Sequence, residues 1–515
     1  MQFKLLIKIT LLVFLGSMAI GSNAAIENKV RLAISSSPAN LSPFYGTDGN
    51  SQNINRLVHL TLTDFSKKMT FYCRFCETFS ERMEGAKHIL SFKLKKNINF
   101  WDGSKVTAKD VYNSWKYFTD TKVIKSVFRF GLGKIKDVKI INDYNVELVY
   151  EKFDPDNLSD LALLKIVKIN KKDIVANIPY SSIIGAGPYK YKIVDELEVT
   201  LESRDGKRPE LVFKVVKDET TLALKLINKE IDLSLANISP RKYHWLKNNR
   251  PDLSFHEMEG TIFNYMGINH KNKYLKIKKI RKALSLLIPR EKLLKHKLKS
   301  TATPSSSMFS KAFTKMYIGP KIDSYDPDLS EKLFKESGFS KDKKGKLVID
   351  GKPFKLTWRV SNNKNAIEMV ETIKKYFERA GIEVEVSVQE WGIYYRNIKQ
   401  GKFDIMMGRW MGFTGPSMLK YVFHSESVPP KGANRGYFVN KEFDKLIDLA
   451  TTETNEEKRN NYYKKALEIS NEEYSYINLW HPNIIWIGRK CLQGVDVQPN
   501  GSFLPLLNLV DNCGK

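Results

Sequence analysis

Cysteines, acidic residues and long apolar segments are all scarce in this sequence of 515 residues. Four cysteines are too few for a disulfide-dense scaffold. Beyond residue 20 no segment is long and apolar enough to span a membrane, which excludes a polytopic membrane protein. The composition, 42% hydrophobic and 27% charged, is that of a globular protein, and the length predicts two or more lobes. Lys and Arg outnumber Asp and Glu by 84 to 57, and this net charge of +27 needs an explanation.

The sequence also has no recognisable motif for catalysis or for binding a metal or cofactor. It contains no nucleophile elbow, no phosphate-cradling glycine loop and no metalloprotease helix, and no two of its eight histidines have metal-ligand spacing. Residues 185–188 (GAGP) predict a structural turn, because the proline removes a backbone donor and no third glycine follows. We therefore expect no catalytic residue, no metal and no cofactor. An exported hydrolase with an active site assembled from distant segments remains an alternative.

The first 24 residues have the pattern of a signal peptide. Lys4 and Lys8 precede an apolar stretch, residues 9–20, and small residues lead to a cleavage site between Ala24 and Ala25. An uncleaved anchor helix is the alternative, but twelve apolar residues are too few to span a bilayer comfortably. The sequence therefore predicts an exported mature protein.

All four cysteines lie after the predicted cleavage site, at positions 73, 76, 491 and 513. An even number of cysteines in an exported chain suggests disulfides, although four allow three pairings. We favour a bridge between Cys491 and Cys513. For Cys73 and Cys76 a local bridge is favoured over a redox or zinc site, because they lie in a polar, irregular stretch without a pair of histidines.

Apolar periodicity predicts a mixture of strands and helices throughout the mature chain. Alternation predicts a strand over 30–34 and a hairpin over 138–150, and apolar stripes at helical spacing predict helices over 367–377 and 443–450. Thr107 and Asp110 have the spacing of a helix capping box. Mixed elements over this length predict α/β lobes.

The most basic region, residues 271–299, carries twelve Lys or Arg residues against one acid, Glu291. It has one aromatic residue, Tyr274, whereas a nucleic-acid surface would interleave several for stacking. Its apolar residues have the spacing of an amphipathic helix. We favour a solvated helix face over an anionic membrane or partner surface, and expect no nucleic-acid partner.

Residues 92–111 carry a long and specific pattern: FKLKK, then FWDG, then VTAKDV. This pattern resembles the family 5 extracellular solute-binding proteins, the oligopeptide-, dipeptide- and nickel-binding components of ABC importers. Further similar segments follow in the family's order, including GAGPY at 185–189, INKEID at 227–232, LFKESGF at 333–339 and GKFD at 401–404. The resemblance covers essentially the whole mature chain.

The resemblance implies a two-lobed α/β fold of the periplasmic binding protein type II kind, with an extra domain inserted in the first lobe. The first lobe would combine residues 25–55, 180–262 and 480–515. The insertion would occupy 56–179, and the second lobe 263–479. The ligand would lie in the cleft and be buried when the lobes close about a hinge.

Three segments that the family places at the cleft supply candidate ligand contacts. They are a loop after the first strand, a strand that crosses between the lobes, and a segment around a tryptophan. The residues so implied are Tyr45, Thr47, Asp48, Phe263, Tyr265, Arg409, Trp410, Phe413 and Thr414.

One departure from the family bears on the ligand. Similar peptide binders hold the peptide's ammonium with an Asp just beyond a Gly-Trp pair. When the two are aligned on Trp410, the position of that Asp is occupied here by Gly412, and the position of the Gly is occupied by Arg409. An arginine suits a carboxylate or phosphate. The sequence therefore predicts a preference for ligands with an anionic group, unless Arg409 points to solvent, since neighbours on a strand face opposite ways.

The resemblance implies an exported, periplasmic solute-binding subunit of an ABC-type importer. It would capture a peptide-like or other small solute and deliver it to a membrane permease and its ATPase, acting as a monomer. The alternative is a ligand-binding sensor or chaperone of the same fold that is not coupled to transport.

Overall fold

A computed structural model of the protein describes residues 28–236, 238–319 and 321–513. The predicted signal peptide, residues 1–24, lies outside the described residues. None of the helices within these ranges has the length and apolarity that crossing a membrane requires.

A mixed sheet of twelve strands organises the molecule. Ten of them follow one another across the sheet in the order Tyr189–Val194, Glu198–Ser203, Glu210–Val215, Lys29–Ile34, Leu233–Ser234, Tyr476–Arg489, Phe263–Ile268, Ile405–Trp410, Lys355–Ser361 and Glu383–Gln389. The other two, Leu253–Glu259 and Ala302–Pro304, pair with Tyr476–Arg489.

Smaller sheets and the helices complete the secondary structure of the described residues. The smaller sheets are formed by Thr63–Phe65, Phe71–Cys73, Cys76–Glu84, Lys87–Leu94, Ile135–Asn142, Asn145–Tyr150, Val167–Ile169, Ile183–Gly185, Ser340–Lys341, Leu347–Ile349, Lys352–Pro353, Leu492–Gln493 and Val510–Asp511. The α-helices are Gly49–Val58, Ala108–Thr119, Arg129–Leu132, Asn157–Asp160, Glu219–Ile227, Pro240–Asn249, Lys278–Leu286, Arg290–Lys292, Pro327–Glu336, Lys364–Arg379, Trp391–Lys399, Met418–Phe423, Lys441–Thr452 and Glu456–Glu472.

One long strand, Tyr476–Arg489, joins the two halves of the large sheet. Its first part pairs antiparallel with Phe263–Ile268, and its second part with Leu253–Glu259. Between these pairings two segments of the chain approach closely. Gly260 N donates to the Pro482 carbonyl at 3.0 Å, and a Cβ on Gly260 would lie 2.5 Å from that oxygen. The halves of the sheet, each with its own helices and buried core, are the two lobes.

A separate unit is inserted in the first lobe. After Lys29–Ile34 and before Tyr189–Val194, the chain builds a four-stranded antiparallel sheet with its own apolar core, to which helix Ala108–Thr119 contributes. The predicted capping box starts this helix, with Thr107 N and Oγ1 both donating to Asp110. The predicted fold class, a two-lobed α/β fold with an inserted unit, is confirmed.

The predicted boundary between residues 55 and 56 falls inside helix Gly49–Val58. Leu57 and Val58 of this helix pack in the first-lobe core. The predicted turn at 185–188 lies against the end of the same helix, where Gly187 N donates to the Val58 carbonyl.

Both pairs of cysteines form disulfides, Cys73 with Cys76 and Cys491 with Cys513. The second is the bridge favoured from the sequence, and it ties the last described residue to the short strand region after Tyr476–Arg489. The first is the local bridge, and it connects two successive strands at the edge of the inserted unit.

The basic region forms helix Lys278–Leu286 and the turns around it. The apolar face of the helix packs in the second-lobe core. Lys278 and Lys279 pair with Glu473 and Glu336 at 2.9 and 2.8 Å. Since ion pairs of this kind are exposed, they contribute little to stability.

Candidate functional site

An aromatic wall lies where the second lobe meets the crossing strands. In the antiparallel pairing of Phe263–Ile268 with Ile405–Trp410, Phe263 is opposite Trp410 and Tyr265 is opposite Gly408. Directly opposed residues have their side chains on the same face of a sheet. The rings of Phe263, Tyr265 and Trp410 are therefore neighbours, with centroids 5.4 Å apart for the first two and 6.2 Å for the last two.

A fourth ring, Tyr476 from the crossing strand, stacks on Tyr265 with centroids 3.9 Å apart. Burial raises the pKa of Tyr265 well above its ordinary value, so its hydroxyl stays protonated. Trp410 Nε1 and Tyr476 Oη are both buried, and the Tyr476 hydroxyl is within hydrogen-bonding reach of Trp410 and Tyr265.

Gly408 allows this wall to form. A Cβ at this position would lie 2.3 Å from Cζ of Tyr265. The Tyr265 ring therefore lies directly on the backbone of the neighbouring strand, which only glycine permits.

Phe413 and Thr414 continue the segment after Trp410. Phe413 is buried and stacks on Phe313 with centroids 5.5 Å apart and planes nearly parallel. Thr414 lines a small cavity of about 130 Å³ that the inserted unit and the second lobe share. These two residues thus lie at a contact between the two parts.

Arg409 lies on the opposite face of its strand from Trp410. It is opposite Asn264 in the pairing, and its side chain is exposed. In the described part of the chain it has neither an ion pair nor a side-chain hydrogen bond. The structure therefore does not bring Arg409 together with the Trp410 ring.

The predicted first-lobe residues lie apart from the wall. The Tyr45 hydroxyl donates to the Ile124 carbonyl at 2.6 Å. Asp48 caps helix Gly49–Val58 by accepting from Ser51 N at 3.0 Å, and Thr47 is exposed. The polar groups of Tyr45 and Asp48 are thus used within the protein, which leaves Thr47 as the free side chain of this loop.

A second arginine, Arg435, occupies the place that the sequence suggested for Arg409. Its guanidinium carbon lies 4.8 Å from the centroid of the Trp410 ring and 5.0 Å from that of Tyr395. Its Nη2 donates to the Tyr395 hydroxyl at 3.4 Å, a long bond. Both distances are within the range of cation–π attraction.

Arg435 lies among phenols and has no acidic partner in the described residues. No carboxylate lies within 4 Å of its guanidinium among residues 28–236, 238–319 and 321–513. Burial lowers its pKa, but the nearby phenols, with Tyr265 and Tyr476 foremost, raise it, and the net pKa is above the ordinary value. Arg435 therefore remains a cation without a counter-charge.

Sequence reasoning missed the residues that surround this arginine. Tyr395, Tyr421, Arg435 and Tyr476 come from four separate segments, and none lies in a recognisable motif. The one local signal was the aromatic density of residues 391–395 (WGIYY).

Two α/β lobes joined by crossing strands, with an aromatic wall at their junction, define a two-lobed solute-binding protein. Within the described ranges, no three His, Cys, Asp or Glu side chains are grouped so that they could hold a metal ion. Residues 81–428 match the family described as bacterial extracellular solute-binding proteins, family 5 Middle. The chain belongs to this family, whose members are binding proteins rather than enzymes.

Similar proteins share most of the length of the chain. The oligopeptide-binding protein AppA of Bacillus subtilis (strain 168) is 26% identical over 491 residues, which cover 90% of this chain and 88% of that protein. The dipeptide-binding protein of Escherichia coli (strain K12) is 24% identical over 382 residues, covering 71% of this chain and 70% of that protein.

Solved structures show the same fold. NikA from Brucella suis, in complex with Fe(III)-EDTA, matches with a TM-score of 0.82 and 19% identity, covering 94% of this chain and 99% of that one. AppA from Bacillus subtilis, in complex with a nonapeptide, matches with a TM-score of 0.71 and 22% identity, covering 93% and 98%.

Proposed function

We propose that this protein is the exported solute-binding subunit of an ABC-type importer. It captures a peptide-like or other small solute between its lobes and delivers it to a membrane permease with its ATPase. The observation that carries the proposal is the aromatic wall beside the crossing strands, formed by Phe263, Tyr265, Trp410 and Tyr476. The names of the similar proteins, which bind oligopeptides and dipeptides, support the choice of solute class.

The two lobes would move about the point where the connecting segments of the chain cross between them. The first lobe is proposed to comprise residues 25–55, 180–262 and 480–515, the insertion 56–179, and the second lobe 263–479. The proposed hinge contains Gly260 and Pro482, because the pairing of Tyr476–Arg489 with Phe263–Ile268 ends at Trp480 and its pairing with Leu253–Glu259 begins at Asn483. A short segment between two rigid sheets can absorb the backbone change of closure.

The ligand would contact both lobes. Trp410, with the buried Tyr265 and Phe263 behind it, is proposed to form its second-lobe seat, and Phe413 and Thr414 the adjoining contact with the inserted unit. Loop 45–48, through the exposed Thr47, is the proposed first-lobe contact. The protein is proposed to work as a monomer in the periplasm after cleavage near Ala24.

Native mass spectrometry of the folded protein, mixed with a library of dipeptides and tripeptides, tests this function. We expect the wild type to retain intact peptides and Trp410→Ala to retain far fewer. Trp245→Ala is the matched control, because Trp245 is 53% exposed on helix Pro240–Asn249 of the first lobe. Retention by Trp410→Ala equal to that of the wild type would contradict the proposed seat, and release of cleaved peptides would indicate a hydrolase.

A further inference from the structure

Arg435 lies in an open aromatic surface of the second lobe. Four rings line this surface one after another. Trp391 stacks on Tyr395 with ring centroids 5.8 Å apart, and Arg435 lies between Tyr395 and Trp410. Tyr421 meets Trp410 edge-on with centroids 6.4 Å apart. We call Trp391, Tyr395, Trp410, Tyr421 and Arg435 the Arg435 cluster. Apolar groups of this size are normally covered unless they bind something.

Part of the Arg435 cluster is exposed. Trp391 is 58% exposed and Tyr421 47% exposed, whereas Arg435 itself is half-buried between its two flanking rings. The cluster therefore offers a ligand both open aromatic area and a guanidinium held in one place. The two flanking rings fix the plane of the guanidinium. Its N–H groups point outward along the edge of that plane, so an oxyanion can approach from the edge.

The guanidinium of Arg435 has no anionic partner in the described residues. Arg435 has no carboxylate within 4 Å in the described residues, and its one side-chain hydrogen bond is the long one to Tyr395. A half-buried cation without a counter-charge is costly, and an anion supplied by a ligand would remove that cost.

We propose that Arg435 is the residue that selects the ligand, by holding an oxyanion, a carboxylate in the first instance, against the Trp410 ring. The inference rests on the proposed function and names the solute class: solutes with a free anionic group. It replaces Arg409 by Arg435 as the anion-binding residue. It also accounts for Gly412, which cannot hold an ammonium group, since the ligand would be anchored by its negative end instead.

The test compares tripeptides that have a free carboxyl terminus with the same tripeptides amidated, by calorimetric titration. We expect the wild type to bind the acid form about ten- to a hundred-fold more tightly, which is the value of a charge-assisted hydrogen bond. Arg435→Met should lose this preference by weakening the acid form alone, and Arg435→Lys should keep part of it. Equal binding of both forms by the wild type, or an unchanged preference in Arg435→Met, would overturn the proposal.

Two further arginine variants make the assignment specific. Arg241→Met is the matched control and should behave as the wild type, because Arg241 is exposed in the first lobe and has no ion pair with any residue that the structure describes. Arg409→Met should also keep the acid preference. A preference lost in Arg409→Met and kept in Arg435→Met would overturn the proposal in favour of the residue on the other face of the strand.

The anion site can also be tested apart from peptide binding. If the wild type binds neither form of the peptides, the peptide assignment fails, and inorganic phosphate becomes the probe. Phosphate should then raise the melting temperature of the wild type above that in chloride of equal ionic strength, and should not do so in Arg435→Met. No difference between phosphate and chloride in the wild type would overturn the anion site itself.

Discussion

The ring of Tyr265 lies on the backbone of Gly408 and is held from behind by Tyr476, with ring centroids 3.9 Å apart. A Cβ at position 408 would lie 2.3 Å from the Tyr265 ring, which has no room to retreat. We expect Gly408→Ala to cost about 1–3 kcal/mol of unfolding free energy, as overpacking does, and to weaken ligand binding because the wall shifts. Urea unfolding measures the first effect.

Gly415→Ala is the matched control for this substitution. A Cβ at Gly415 meets nothing within 4 Å, so this change should alter stability by less than about 0.5 kcal/mol. Equal stability of Gly408→Ala and Gly415→Ala would show that the Tyr265 ring is free to move, and the rigid wall would be wrong.

At the scale of residues, the sequence grouped the aromatic residues of the second lobe correctly but did not identify the arginine beside them. Phe263, Tyr265 and Trp410 were predicted together and do share one wall. The anion-binding role stays a prediction, but its residue moves from Arg409 to Arg435. Adjacency in sequence could suggest Arg409, whereas the contact of Arg435 with Trp410 depends on tertiary packing of segments 25 positions apart.

At the scale of elements, local patterns were sufficient to predict the helices and strands whose ends are set by their own residues. The helix predicted over 367–377 is Lys364–Arg379, and the strand predicted over 30–34 is Lys29–Ile34. Periodicity and capping are local, so they can be read from one segment. The proposed boundary between residues 55 and 56 cuts helix Gly49–Val58, and the packing of Leu57 and Val58 in the first-lobe core depends on residues far along the chain.

The two disulfides should differ in how much they stabilise the protein. Cys491 and Cys513 are 22 residues apart, whereas Cys73 and Cys76 are 3 apart. Loop entropy predicts that removing the Cys491–Cys513 bridge lowers the free energy of unfolding by about 3 kcal/mol, and that removing the Cys73–Cys76 bridge lowers it by about 2 kcal/mol. Urea unfolding of the double variants Cys491→Ser/Cys513→Ser and Cys73→Ser/Cys76→Ser should give this order. The reverse order would mean that the short bridge acts on the native state, not through loop entropy.

At the scale of the whole molecule, a series of short motifs indicated the fold, because the family conserves their order along the chain. The course of Tyr476–Arg489 through both lobes had no such signal, since pairing with Phe263–Ile268 and Leu253–Glu259 joins residues more than 200 positions apart. That strand is what makes closure about the proposed hinge possible.

The most direct test of the account is small-angle X-ray scattering of the protein with and without a peptide that native mass spectrometry identifies as bound. Closure of two lobes on a ligand makes a more compact particle. We predict a smaller radius of gyration for the wild type with the ligand, and no change for Trp410→Ala at the same ligand concentration. Tight binding to the wild type with an unchanged scattering curve would contradict capture between the lobes.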